Sequence, residues 1–165
     1  MMKPPRKFEL NFVLAGYSRR FDATVDESVP TDHPAFTIFQ QFDGLHIHSN
    51  QGTGVECETS DIAFQPIEGV PQFVSDWEKR LDTKLIGVAI VFNGSGQVWV
   101  SDTNDFYLTR DSNNGFGWLG NTFERLVECL LEGHRDSPMF KPDEEKRIIA
   151  GETVKKDDPR VHSWS

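Results

Sequence analysis

The segment KLIGVAIVFNGSGQVWVSD, residues 84–102, narrows the possible folds more than any other part of the chain. Two apolar runs rich in β-branched residues flank Asn93-Gly94, and both turn residues tolerate a positive φ. The pattern predicts a β-hairpin. An isolated hairpin is marginal in water, so more strands and a covering layer must exist. FYLT, residues 106–109, follows a polar turn at Thr103–Asp105 and reads as the next strand. LHIHS (45–49) and VECE (55–58) read as partners across the turn NQGTG, and SDIAFQP (60–66) as a further short strand. The connection YSRRFDATVDESVP (17–30) is a place for an edge strand.

Between these runs the apolar period changes to that of a helix. TDHPAFTIFQQFDG (31–44) has Asp32 to cap it, Pro34 in its first turn and Gly44 to close it. Ala35, Ile38, Phe39 and Phe42 form its apolar stripe. VPQFVSDWEKRLDT (70–83) carries Val70, Phe73, Val74, Trp77 and Leu81 on one face. In GNTFERLVECLLEG (120–133), Asn121 with Glu124 resembles a capping box and Gly133 is the stop. FELNFVLA (8–15) forms a shorter helix ended by Gly16. Hairpins interleaved with helices imply an α+β fold, with helices packed on a central, mostly antiparallel sheet.

A chain of 165 residues suits one domain, and thirteen phenylalanines and four tryptophans supply a large core. We place that domain at 8–133. Residues 134–165 are charge-rich with alternating signs and read as an exposed or disordered tail, apart from a short helix at Asp143–Ala150. No run is apolar enough to span a membrane. MMKPPRKFELNF has no apolar stretch of the kind a signal peptide needs. A cytoplasmic protein with Cys57 and Cys129 reduced is therefore expected.

Charge is unevenly spread. Residues 1–21 sum to +4, residues 22–133 carry five basic and 18 acidic groups for −13, and residues 134–165 sum to zero. So acidic a body argues against nucleic acid as a direct partner, because phosphates need a basic face. It favours a basic protein partner steered by opposite charge.

Catalytic patterns are weak. His46 and His48 share one strand face, and Cys57, Glu56 or Glu58 could complete a metal set from a paired strand. Ordinary alternation with Leu45 and Ile47 accounts for the same residues, so neither metal nor cofactor is expected. NQGTG and NGSG lack the lysine of a phosphate-binding loop and join strand to strand. Cys129 sits among apolar helix residues and reads as packed. The paired carboxylates lie on strand faces or turns, where a solvated role is the default. RDSNNGFGW (110–118) reads as a polar crossing loop whose Phe116 and Trp118 pack over a sheet edge.

AGYSRR (15–20), HPAFTIFQQFDGLHIH (33–48) and WEKRLDTKLIGVA (77–89) come in a fixed order. LIGVAIVFNGSGQVWVSD and WLGNTFERLVECLLEG follow. Together they resemble the SUKH superfamily of bacterial immunity proteins, above all its third clade, over residues 8–133. Tyr17 stands where the family pattern has Trp, Asp43 where it has Gly, and the acid before the hairpin turn is absent at Phe92–Asn93. The resemblance implies a non-enzymatic protein that binds and occludes a toxin domain of a polymorphic-toxin system. With the charge balance, it points to a basic toxin that acts on nucleic acid. The candidate toxin-binding residues are Glu56, Glu58, Trp99, Asp102, Asp105 and Asp111. Trp99 lies opposite Val98 and Val100, so it is either the aromatic of a second buried face, the preferred reading, or an exposed anchor. Two other functions stay open. One is an intracellular adaptor, since a eukaryotic branch of the superfamily is linked to cell-wall regulation. The other is a small metal-dependent hydrolase using His46, His48 and Glu58.

Overall fold

The computed structural model describes residues 2–18, 23–50, 52–112 and 114–164. Its centre is a seven-stranded sheet in which spatial order equals chain order and every pairing is antiparallel. The strands are β1 (His46–Ile47), β2 (Ile62–Phe64), β3 (Leu85–Val91), β4 (Gly96–Ser101), β5 (Phe106–Arg110), β6 (Gly115–Gly120) and β7 (Ser137–Pro138). Four helices flank it: α1 (Glu9–Leu14), α2 (Pro34–Phe42), α3 (Gln72–Leu81) and α4 (Phe123–Glu132). A separate hairpin pairs β8 (Lys146–Ile149) with β9 (Glu152–Lys155). The protein has the α+β fold that the sequence predicts. No described helix is long and apolar enough to cross a membrane.

Strand alternation divides the large residues between two cores. Val98, Val100, Phe106 and Leu108 join the helices α1, α2 and α4 on one face. Trp99 and Tyr107, one residue out of phase, join Leu85, Phe116 and α3 on the other. In the first core Phe42 of α2 stacks on Phe123 of α4, with ring centres 4.9 Å apart and planes within 3°. In the second, Phe116 lies flat between Trp77 at 4.8 Å and Tyr107 at 5.0 Å. The Trp99 indole, fully buried, donates to Thr109 Oγ1 at 3.0 Å, so its N–H is satisfied inside a dry layer.

The four helices predicted within residues 8–133 are present, two of them with different N-caps. His33 caps α2 in place of Asp32, accepting from Ala35 N through Nδ1 at 3.1 Å. Its Nε2 then carries the proton and donates to Lys84 O at 3.2 Å, tying the helix start to β3. For α4 the cap is Thr122, not Asn121. The hairpin turn forms where expected, with positive φ at Asn93 and Gly94, and Phe92 shares that conformation.

Three expectations change. VECE is no strand partner of β1; that partner is β2. Val55, Glu56 and Cys57 instead donate their backbone N–H groups to the carbonyls of Glu132 and Gly133, satisfying the C-terminal end of α4. The loop approaches the helix end so closely that a side chain at Gly54 would sit 2.5 Å from Glu132 O. The segment read as a crossing loop holds a strand, β6, in its second half. The helix expected at Asp143–Ala150 is the strand β8. The edge strand expected in 17–30 overlaps residues 19–22, outside the described residues, and 23–30 hold no strand.

The segment after Gly133, read as a tail, is built into the molecule. It supplies β7 to the sheet, buries Met139, Phe140 and Val154, and returns to place Trp164 edge-on against Trp77 at 5.3 Å. The Trp164 indole donates to Phe140 O at 2.9 Å. Removing residues 134–165 strips a strand from β6 and uncovers the second core. Thermal unfolding of the 1–133 fragment is expected to be lost or to fall by more than 10 °C, since a few kcal/mol shifts a domain of this size by about that much. An unchanged midpoint would show the segment to be accessory.

Candidate partner-binding surface

The turn between β4 and β5 is a small polar framework. Ser101 Oγ accepts from the backbone N–H groups of Thr103 and Asp105 at 3.3 and 3.0 Å. Asp105 accepts from Trp118 Nε1 at 2.9 Å and from Thr103 Oγ1 at 3.1 Å, so its carboxylate is fixed between turn and β6. Asp102 accepts from Thr83 Oγ1, which joins this turn to the end of α3. There Asp82 closes the helix in a left-handed conformation, φ 50°.

The three carboxylates of Asp82, Asp102 and Asp105 surround a recess of about 240 Å³. Tyr107, His162 and Trp164 contribute aromatic walls, and no lysine or arginine lines it. Burial, reinforced by Asp105 and Asp102, pushes the Tyr107 hydroxyl well above its ordinary range, so it stays a neutral phenol. His162 stacks on Trp118 at 4.2 Å, and burial lowers its affinity for a proton although Asp105 opposes this.

The six candidate residues do not form one patch. Asp102 and Asp105 share the recess. Asp111 is exposed just past the far end of β5, six residues from Asp105 or about 20 Å along the strand. Glu56 and Glu58 are exposed on the loop that wraps the end of α4. Glu56 accepts from Arg135 N at 3.1 Å and faces His134 at 3.6 Å; the Arg135 hydrogen bond leads in holding its carboxyl below the usual range. Trp99 is a correction: it is wholly inside the second core and presents nothing to a partner. Asp82, His162 and Trp164 were not among the candidates. They reach the recess from a helix end and from the segment read as a tail, and nothing local to them in the sequence marks it.

Neither thiol is activated. Burial raises Cys57 and pushes Cys129 up to about 11, so both favour the protonated form. Glu58 does not approach His46 and His48 as the hydrolase reading requires. The carboxylate beside them is Asp61, whose Oδ2 lies 3.2 Å from His46 Nε2 and 3.0 Å from His48 Nδ1.

His162 gives the recess a pH dependence. Its proton affinity is lower folded than unfolded, so its contribution is intact above the unfolded value of about 6.5 and is lost as the pH falls below it. Melting temperature is expected to drop from pH 7.5 towards pH 5, and His162→Phe, which keeps a ring on Trp118, should flatten that slope. An identical slope in both proteins would exclude His162 as its source. Compared with family models, with curated proteins and with solved structures, the chain finds no match.

Proposed function

We propose that the protein is a non-enzymatic immunity protein of the SUKH type. It acts in the bacterial cytoplasm, binding and occluding a basic, nucleic-acid-targeting toxin domain of a polymorphic-toxin system. The observation that carries this reading is the recess of Asp82, Asp102 and Asp105, acidic and walled by aromatics, in a body with a net charge of −13 over residues 22–133. A nuclease must present cations to hold phosphates, and an acidic surface competes for those cations. The charges steer encounter. The ordered motifs of residues 15–133 support the same reading by their resemblance to the superfamily, and an α+β fold with helices on an antiparallel sheet is compatible with it. An adaptor of the same superfamily could use the same recess; a toxin gene adjacent to this one separates the two readings.

Co-expression with the neighbouring toxin is the direct test, with rescue of growth and co-purification expected. Asp82→Asn combined with Asp102→Lys changes the recess without touching the Asp105 hydrogen bonds. This variant should bind the toxin about tenfold or more weakly, mainly through slower association, and the difference should shrink in high salt. Its melting temperature should stay close to that of the parent. Unaltered affinity would exclude the recess as the toxin-binding surface.

A further inference from the structure

We infer that His46, His48 and Asp61 bind one divalent transition-metal ion of the zinc class, on the exposed face of the β1–β2 edge, with one coordination position left open. This site is independent of the toxin-binding reading and of the acidic recess.

Its placement follows from the ladder. His46 and His48 flank Ile47, which is fully buried, so both imidazoles project from the opposite, outer face. The antiparallel register pairs His46 with Ala63 and Ile47 with Ile62, and continuing it one step sets Asp61 across from His48. Ile62 is also fully buried, so both strands are pinned from beneath. Asn11 Nδ2 adds a hydrogen bond to His48 O at 3.0 Å. Three donor groups are thus fixed by backbone pairing and not by a mobile loop.

The donor atoms are spaced for an ion. Tetrahedral zinc with bonds of about 2.0–2.1 Å separates neighbouring ligand atoms by roughly 3.3 Å. His46 Nε2 and His48 Nδ1 stand 3.2 and 3.0 Å from Asp61 Oδ2, and all three donor atoms lie within 4.8 Å of one another. The two rings stack at 4.5 Å with planes 25° apart, and one nitrogen of each lies against Asp61 Oδ2. On binding, the ion takes the place of the hydrogen bond between His48 Nδ1 and Asp61 Oδ2, whose proton leaves to solvent.

The carboxylate is already oriented as a one-oxygen ligand. Its other oxygen, Oδ1, accepts from Ser49 N at 2.8 Å and Ser49 Oγ at 3.1 Å, leaving Oδ2 free to face the imidazoles. Such outer hydrogen bonds fix ligand orientation in metal sites. The imidazole side chains are 56% and 69% exposed, which admits the ion and leaves its fourth position to water or to a side chain of a docked protein.

The test uses full-length protein without a histidine tag, freed of metal by chelation and titrated calorimetrically with zinc chloride alone. One equivalent is expected to bind. His46→Ala and His48→Ala should each weaken binding about tenfold or more, comparable to or beyond the loss of an outer hydrogen bond in known sites. His134→Ala, which removes a histidine paired with Glu56 elsewhere, should leave affinity unchanged. Cobalt substitution should give the intense visible absorption of a four-coordinate ion, lost in His46→Ala. Both histidines are exposed, so the alanine variants retain the fold, checked by their melting curves. Absence of stoichiometric zinc binding, or binding that survives unaltered in the His46→Ala/His48→Ala double variant, would overturn the site.

Discussion

The middle strands are dry on both faces, and most of the structure answers to that constraint. Val98, Trp99 and Val100 are three consecutive residues with no exposed surface, and they feed two different cores. A sheet of this kind must be covered twice. α1, α2 and α4 cover one side. On the other, α3 alone is about 10 Å across, against about 19 Å for four strands, so one helix leaves a strip of aromatic surface open. Met139 and Trp164 fill that strip, which is why the C-terminal segment belongs to the fold. The same dryness obliges polar atoms to pair, as the Trp99 indole does with Thr109, because an orphaned donor there costs about 1–3 kcal/mol.

Elements set by local chemistry were legible in the sequence. The β3–β4 hairpin declares itself through Asn93-Gly94, and α2, α3 and α4 through their stripes. What escaped was decided by partners distant in sequence. VECE looks like a strand, yet its amides go to the unfilled carbonyls of α4, more than seventy residues later. In β6 the aromatics alternate with glycines, and the glycines read as loop. Gly117 is small for a reason of packing: a side chain there would fall 1.7 Å from the carboxylate of Asp136. After Gly133 the alternating charges hide Met139, Phe140 and Val154, an adjacent buried pair and one distant residue that are too few to show a period. Of the candidate surface, the sequence located Asp102 and Asp105. It could not join them to Asp82 or His162, nor set Asp61 beside the histidine pair, because only the strand register does so.

The neutrality of residues 134–165 is local as well as compositional. Arg110 of the sheet meets Asp136, Arg147 meets Glu144, and Arg160 meets both Glu152 and Asp158. Each such surface pair contributes little, roughly 0–1 kcal/mol. Their larger effect is on the field outside. Because residues 134–165 carry as many acids as bases, they do little to offset the net charge of the acidic body. A charged partner approaching the β4–β5 turn therefore meets a field close to that of the body alone.

The sheet ends in strands of two residues on each side, and Pro138 occupies one of them. An added strand would find almost no ladder to extend, and proline offers it no N–H. This blunts edge-to-edge self-association. It also restricts how any other protein can be recognised. Docking by strand addition draws its affinity from main-chain hydrogen bonds and is tolerant of sequence. With both edges of this sheet closed to it, a partner docking on the sheet must be read through side chains. Recognition is thereby tied to particular residues on each surface, and single substitutions there can retune which partner is accepted while the sheet stays as it is.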